Sequence, residues 1–90
     1  MLVARRYVVS GRVQGVGFRY FLEARASGEG VHGWVRNLPD GRVEVQIEGD
    51  RESVDRVEAA IHRGPTGADV EDVTIEEIPP AGRATGFSIR

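Results

Sequence analysis

A nine-residue segment, Gly11 to Arg19, places Gly15, Gly17 and Arg19 where a strand pattern gives way to a helix pattern. Gly15 and Gly17 can adopt positive φ at little cost, so the peptide N–H groups around them can turn toward one centre. Arg19 adds a permanent charge and a planar fork of donors. A helix N-terminus beside it would strengthen the attraction for an anion. The segment is therefore interpreted as a phosphate site.

A glycine-rich turn is a weak signal on its own, and a tight turn followed by a solvated arginine is the alternative interpretation. The segment lacks the third glycine of the dinucleotide-binding fingerprint. The residue six positions before Arg19 is Val13, which cannot attack phosphorus as the cysteine of a Cys-x5-Arg phosphatase does. The chain has no cysteine and no lysine, which excludes disulfides, thiolate metal sites, Schiff-base chemistry and the Walker lysine.

The other residues that could carry chemistry have simpler structural explanations. His32 alternates on a predicted strand, and His62 lies near a helix end, where a cation complements the dipole. Asp69, Glu71 and Asp72 could attract a divalent ion, but a solvated strand edge explains them better because no glycine-hinged loop supplies further ligands. We therefore expect no metal site and no cofactor.

These exclusions leave a phosphate site without a nucleophile, a metal or a general base. Water must then attack the phosphorus, and only a phosphoryl group with a good leaving group would react, because no residue can protonate a poor one. The carboxylate of a carboxyl–phosphate anhydride is such a leaving group. Binding the phosphoryl group and orienting one water would suffice, since phosphoryl transfer depends chiefly on position and charge stabilisation.

Length and composition predict one small domain over residues 1–90, with a single core. A hydrophobic fraction of 40% and a charged fraction of 29% are typical of a soluble globular protein. The net charge of -2 gives no general attraction to nucleic acid or to anionic membranes. No apolar run approaches the roughly 20 residues that span a bilayer. We expect a cytoplasmic monomer without nucleic-acid or membrane partners.

Hydrophobic periodicity and turn residues divide the chain into seven elements. They are a strand over Val3–Val13, a helix from Phe18 to Gly28 or Gly30, strands over Val31–Asn37 and Arg42–Glu48, a helix with Asp50 as N-cap that ends at Gly64-Pro65, a strand over Val70–Ile78, and a short strand containing Phe87 and Ile89. Pro39 and Gly41 favour a type I turn that closes a hairpin between the second and third strands.

The element order βαββαβ, with an extra short C-terminal strand, predicts an α+β protein with a ferredoxin-like α/β sandwich. Two helices would cover one face of a mainly antiparallel sheet. Right-handed crossovers would place the first and third strands side by side in the middle. That adjacency brings the end of the second strand into the same sheet as the glycine-rich segment.

Two spaced motifs resemble those of the acylphosphatase family. The first is Gly-Arg-Val-Gln-Gly-Val-Gly-Phe-Arg at 11–19, and the second is Gly-Trp-Val-Arg-Asn at 33–37. The resemblance continues through Asn-Leu-Pro-Asp-Gly at 37–41, Gly-Pro at 64–65 and Gly-Phe-Ser-Ile-Arg at 86–90, so it covers essentially the whole chain.

The resemblance implies hydrolysis of acyl phosphates to carboxylate and inorganic phosphate, without metal or organic cofactor. Arg19 matches the family's substrate-binding arginine, and the residues Gly15, Val16, Gly17 and Phe18 match its phosphate loop. Asn37 matches the catalytic asparagine whose amide holds the attacking water. By the family mechanism the bound phosphate itself accepts the water's proton. From the residues alone, Asn37 is equally explained as a turn residue that bonds its own backbone.

One departure from the family pattern is Glu29, which stands where family members usually carry an apolar residue. Gly28 lowers helix propensity and Glu29 weakens a core contact, so a looser helix end is expected there. Two other functions fit the sequence less well. An RNA-binding module is disfavoured by the negative charge and the lack of an aromatic cluster. A catalytically silent phosphate sensor is disfavoured by the presence of both Arg19 and Asn37.

Overall fold

Seven elements form the fold of the computed structural model, which describes residues 1–82 and 86–90. They are β1 (Leu2–Arg12), α1 (Phe18–Gly28), β2 (His32–Asn37), β3 (Val43–Asp50), α2 (Arg51–Arg63), β4 (Asp69–Ile78) and β5 (Phe87–Ile89). Every predicted element is present, and no boundary differs from its predicted position by more than two residues. The ferredoxin-like arrangement predicted from the element order is confirmed.

The five strands form one sheet in the order β4-β1-β3-β2-β5. β1 pairs antiparallel with both β3 and β4, and β2 pairs antiparallel with β3. The outer pair, β2 and β5, is parallel, so the sheet is mainly antiparallel as predicted. Because β1 and β3 are neighbours near the centre, the C-terminal end of β1 lies close to the β2–β3 hairpin.

The core lies between the sheet and the two helices, which pack on one face of it. Alternate residues of the central strands point into this layer, as the period-two pattern predicts. Helix α1 contributes side chains at three- and four-residue spacing, and α2 does the same. The fully buried residues include Tyr7, Val9, Val35, Val43, Val45 and Ile47 from strands and Phe18, Leu22, Ala26, Val54, Val57 and Ile61 from helices.

A buried arginine joins α2 to the sheet. The Arg5 side chain is only 8% exposed and pairs with Asp55 and Glu58 of α2 and with Glu77 of β4, at 2.8, 3.1 and 2.8 Å. Tyr7 donates its hydroxyl to Glu58 at 2.8 Å. Hydrogen bonding to Asp55 raises the pKa of Arg5 against the opposing effect of burial. The charge is therefore compensated, as a buried guanidinium requires.

Two residues at helix ends have contacts that the sequence did not predict. Asp50 occupies the N-cap position of α2, but its side chain makes no capping hydrogen bond and instead pairs with the amine of Met1 at 3.1 Å. Glu29 follows α1 and accepts a hydrogen bond from Nε of Arg56 at 2.8 Å. Its backbone N–H also bonds the carbonyls of Arg25 and Ala26. Glu29 thus ties the end of α1 to α2.

Candidate active site

A small surface cleft of about 180 Å³ lies between the start of α1 and the end of β2. It is formed by the loop that joins β1 to α1, which we call the glycine loop (residues 13–17), together with the first turn of α1 and one residue of β2. The residues that line it are Val13, Gln14, Gly15, Gly17, Phe18, Arg19, Tyr20 and Asn37. Two sequence-distant motifs therefore meet at one place in the fold.

The backbone of the glycine loop has the conformation that an anion-binding turn requires. Gly15 and Gly17 have φ of 74° and 78°, in the left-handed region that other residues rarely adopt. Gly17 is also the N-cap of α1, and the first helical hydrogen bond runs from the N–H of Phe21 to its carbonyl. Within the described ranges, the N–H groups of residues 15–20 donate to no protein atom. They are available to a bound oxyanion.

Arg19 is the only charged side chain among the residues that line the cleft. Its Nη1 atom donates to the carbonyl oxygen of Arg90, just after β5, at 3.3 Å. No Asp or Glu side chain of residues 1–82 and 86–90 lies within ion-pair distance of it. The guanidinium is therefore held from one side while its remaining donors and its charge are available in the cleft.

Asn37 is the last residue of β2 and is exposed at the rim of the cleft. In the described part of the chain its side-chain amide forms no hydrogen bond. The turn that follows is stabilised by other groups, because Gly41 donates to the carbonyl of Leu38 at 3.2 Å and the N–H of Arg42 donates to Asp40 at 3.1 Å. Asp40, rather than Asn37, is thus the turn residue whose side chain bonds the backbone.

Of the remaining predicted site residues, Phe18 lines the cleft and Val16 does not. Phe18 lines the cleft, but it is also buried in the core, with 2% of its surface exposed. Val16 does not line the cleft, and its side chain packs against the core. Only its backbone N–H is available to a ligand. The apolar side chains of the motif thus fix the loop to the core, while its backbone faces the cleft.

Three residues that line the cleft, Val13, Gln14 and Tyr20, are not among the predicted site residues, and two of them are polar. Gln14 lies inside the first motif, and its side chain bonds the β2–β3 hairpin. Tyr20 is 68% exposed beside Arg19. The signal for Tyr20 was present in the helical pattern, since Phe18, Phe21 and Leu22 define the inner face of α1 and leave position 20 outside it. A single sequence carries no comparable signal for Gln14.

Ion pairs of Glu44 with Arg36 and Arg6 fix the end of β2 to the neighbouring strands. Glu44 of β3 is 5% exposed at its side chain and accepts hydrogen bonds from Arg36 and Arg6 at 2.6 and 2.5 Å. Burial alone would raise the pKa of Glu44, but the two guanidinium groups outweigh it and hold the pKa below its usual value. The side chain of Arg36, which precedes Asn37 in β2, is therefore held in an ion pair with Glu44.

The other candidate residues lie outside the cleft. His32 accepts a hydrogen bond at Nδ1 from the N–H of Gly86 at 3.0 Å, and His62 lies in the last turn of α2. Asp69, Glu71 and Asp72 lie on β4, at the far edge of the sheet from β2. Throughout the two described ranges, no three or more His, Asp or Glu side chains are grouped closely enough to hold a metal ion.

Comparison with known proteins decides the family. The family model described as acylphosphatase matches residues 5–89. The chain belongs to the acylphosphatase family. An acylphosphatase of Rubrobacter xylanophilus is 54% identical over 85 residues, which cover 94% of this chain and 77% of that protein. An acylphosphatase of Anaeromyxobacter dehalogenans is 50% identical over 88 residues, which cover 98% of this chain and 95% of that protein.

Solved acylphosphatases share the fold described above. The crystal structure of acylphosphatase from Bacillus subtilis matches with a TM-score of 0.93 at 39% identity, and the match covers 100% of this chain and 99% of that one. The family resemblance carried by the two motifs is thus confirmed. In this acylphosphatase the described helices are too short or too polar to cross a bilayer.

Proposed function

We propose that Arg19 and the free N–H groups of the glycine loop bind the phosphoryl group of an acyl phosphate while Asn37 holds the water that attacks it. The reaction is the one for which the acylphosphatase family is named, hydrolysis of an acyl phosphate to a carboxylate and inorganic phosphate. The observation that supports this division of roles is that Arg19 and Asn37 line a single small cleft, where Arg19 has no Asp or Glu partner and the Asn37 amide has no hydrogen bond among the described residues.

Binding of the dianionic phosphoryl group follows from the charges and donors of the cleft. Arg19 offers a fixed charge with parallel N–H groups that match two phosphoryl oxygens. The N–H groups of Gly15, Val16, Gly17 and Phe18 donate to the phosphoryl oxygens from the other side, and the N-terminus of α1 adds its dipole. These donors are in place before the substrate arrives, so little reorganisation is needed when charge builds up on the oxygens.

Attack proceeds from the side of Asn37. The amide binds a water through its carbonyl oxygen or NH₂ group, and it places the water's oxygen in line with the bond between phosphorus and the acyl oxygen. A new P–O bond forms to the water as the P–O bond to the acyl group breaks. The electron pair of the broken bond leaves with the carboxylate, which is stable without a proton.

The proton of the attacking water goes to an oxygen of the phosphoryl group itself. The cleft supplies no histidine or carboxylate for this purpose among the residues that line it. Transfer to the phosphate balances the reaction, since inorganic phosphate is the protonated product. The lining residues therefore need only bind and orient, and no metal or organic cofactor enters the proposal.

Several broader properties belong to the same proposal. The cleft binds the phosphoryl group and leaves the acyl group facing solvent, so acyl phosphates with different acyl groups should be substrates. We take residues 1–90 as one domain acting as a cytoplasmic monomer. With a net charge of -2 the chain has no general attraction for nucleic acid, and no such partner is proposed.

The proposal is tested by the turnover of benzoyl phosphate at neutral pH in the presence of EDTA. We expect full activity with the chelator and competitive inhibition by inorganic phosphate. In Arg19→Gln the affinity for phosphate should fall by at least about tenfold, because a charge-assisted contact is lost. A wild-type enzyme that loses its activity in EDTA, or an Arg19→Gln variant with unchanged phosphate affinity, would refute the proposed binding mode.

A further inference from the structure

The side-chain amide of Gln14 links the glycine loop to the β2–β3 hairpin. Its Nε2 atom donates one hydrogen to the carbonyl oxygen of Leu38 at 2.8 Å and the other to the carbonyl oxygen of Arg42 at 2.9 Å. Both acceptors are backbone carbonyls, so only the NH₂ end of the amide can occupy this position. We call these two hydrogen bonds the Gln14 bridge.

The Gln14 bridge ends on the hairpin that carries Asn37. Leu38 directly follows Asn37, and its N–H donates to the carbonyl of Arg42 at 2.8 Å, which closes the hairpin loop. The Arg42 carbonyl therefore accepts from both Leu38 and Gln14. The amide thus bonds both sides of the loop at its base, where the position of the last residue of β2 is set.

No other hydrogen bond in the described part of the chain joins residues 13–17 to residues 38–42. The ladder between β1 and β3 ends at the pair Val9 and Val43, before the glycine loop begins. The side chain of Asn37 has no hydrogen bond of its own within the described residues. The sheet already relates the two regions, since Asn37 pairs with Val43 and Val43 with Val9. Beyond the sheet, the Gln14 bridge is the hydrogen-bonded link within the described residues that fixes the glycine loop relative to the end of β2.

We infer that Gln14 is a positioning residue, which sets the glycine loop and Asn37 at the separation that in-line attack requires. This inference rests on the proposed function. Misplacing a reacting group by about 1 Å can lower a rate by about 10²-fold even when every group is still present. Binding of phosphate, by contrast, uses only the loop, Arg19 and the start of α1, all on one side of the bridge.

The test replaces Gln14 by methionine, which is uncharged and similar in length but donates no hydrogen bond. In Gln14→Met we expect kcat for benzoyl phosphate to fall by about 10- to 100-fold. The inhibition constant of inorganic phosphate should stay within about threefold of the wild-type value, because the phosphate-binding groups are intact. Gln46→Met is the matched control, since Gln46 is the only other glutamine and lies on β3 away from the cleft. It should leave both constants unchanged.

A double-mutant cycle separates positioning from a merely structural role. If Gln14 acts through Asn37, then Gln14→Met should cost little further activity once Asn37→Ala has been introduced. An equal loss of kcat in both backgrounds would overturn the inference, as would a loss of phosphate affinity as large as the loss of kcat. Should Gln14→Met fail to fold, Gln14→Ala is tested in the same way, with circular dichroism as the check on folding.

The same measurements distinguish a failure of the proposed function from a failure of the positioning role of Gln14. If Asn37→Ala alone retains full activity, the proposed function fails, whatever Gln14 does. If Asn37→Ala loses activity but Gln14→Met retains it, only the role of Gln14 is wrong. The positioning role stands only if Gln14→Met lowers kcat, spares phosphate affinity and loses its effect in the Asn37→Ala background.

Discussion

Arg19 and Asn37 lie in the same cleft but are held in different ways. The guanidinium of Arg19 is oriented by the carbonyl oxygen of Arg90, whereas the Asn37 amide has no hydrogen bond among the described residues. The phosphoryl group is negatively charged throughout the reaction, so a guanidinium that is already oriented stabilises it at every stage. The attacking water is consumed in the reaction, and the Asn37 amide, which has no hydrogen bond among the described residues, can bind it. The two contacts are thus consistent with separate roles in binding and in turnover.

The conformation of Gly15 leads to a prediction about phosphate binding. Its φ of 74° strains any residue with a Cβ atom, although a Cβ added there would meet no atom within 4 Å. We therefore expect Gly15→Ala to cost about 1–2 kcal/mol in backbone strain. The loop should relieve that strain by moving, so phosphate affinity should fall severalfold, as measured by titration calorimetry.

Gly67 provides the matched control for this substitution. Its φ is 92°, a Cβ there also meets nothing within 4 Å, and it lies in the loop between α2 and β4. Gly67→Ala should be destabilised to a similar degree while keeping its affinity for phosphate. Equal effects of the two substitutions on phosphate affinity would show that the Gly15 backbone is not part of the binding site.

At the scale of elements, the β2–β3 hairpin is fixed by a buried carboxylate. Glu44 of β3 bonds Arg36 of β2 and Arg6 of β1, so one side chain joins three strands. Its partners are 50% and 38% exposed and can return to water, whereas Glu44 is almost fully buried. Glu44 alternates with Val43 and Val45, a pattern typical of an exposed position on β3. The pattern cannot show the burial of Glu44, because that burial depends on the long arginine side chains that cover it.

The lowered pKa of Glu44 predicts how stability depends on pH. Its contribution is fully present above the pKa of the unfolded chain, near the usual value of 4.5, and is lost as the pH falls through the lower folded value. Glu44→Gln should lower the free energy of unfolding by about 2 kcal/mol at pH 7. The difference from wild type should shrink as the pH falls below that unfolded value and Glu44 of the wild type becomes protonated. Urea unfolding at several pH values measures both effects.

Glu76 serves as the control for this prediction. It also faces Arg6, but at 3.7 Å and with 64% of its side chain exposed. Glu76→Gln should change the free energy of unfolding by less than about 0.5 kcal/mol at every pH. If Glu44→Gln behaves like Glu76→Gln, then the buried carboxylate does not stabilise the hairpin.

At the scale of the whole molecule, the sequence predicted the elements and their arrangement because local patterns determine them. Alternation of Val43, Val45 and Ile47 identified β3, and the spacing of Val54, Val57 and Ile61 identified α2. The site residues were found by their spacing in two motifs. From the sequence we expect only a looser end of α1 at Glu29. The ion pair between Glu29 and Arg56 has no signal in the sequence.

The features that the sequence did not reveal are contacts of side chains with groups that are distant in the sequence. Arg5 sits in an alternating strand, where an exposed arginine would give the same pattern, and only the packing of α2 buries it. Asp50 has the residue type and position of an N-cap, yet its carboxylate binds the amine of Met1 instead. The Gln14 bridge spans 24 and 28 residues. Such contacts depend on the assembled fold, so no local pattern can predict them.

The central claim, that Arg19 binds and Asn37 positions the water, is tested most directly by the kinetics of Asn37→Ala. We expect kcat for benzoyl phosphate to fall by about 10²- to 10³-fold, because the attacking water is no longer oriented. The inhibition constant of inorganic phosphate should remain within about threefold of wild type, since every phosphate-binding group is intact. An Asn37→Ala variant with wild-type kcat, or one whose phosphate affinity falls as much as its kcat, would contradict the account.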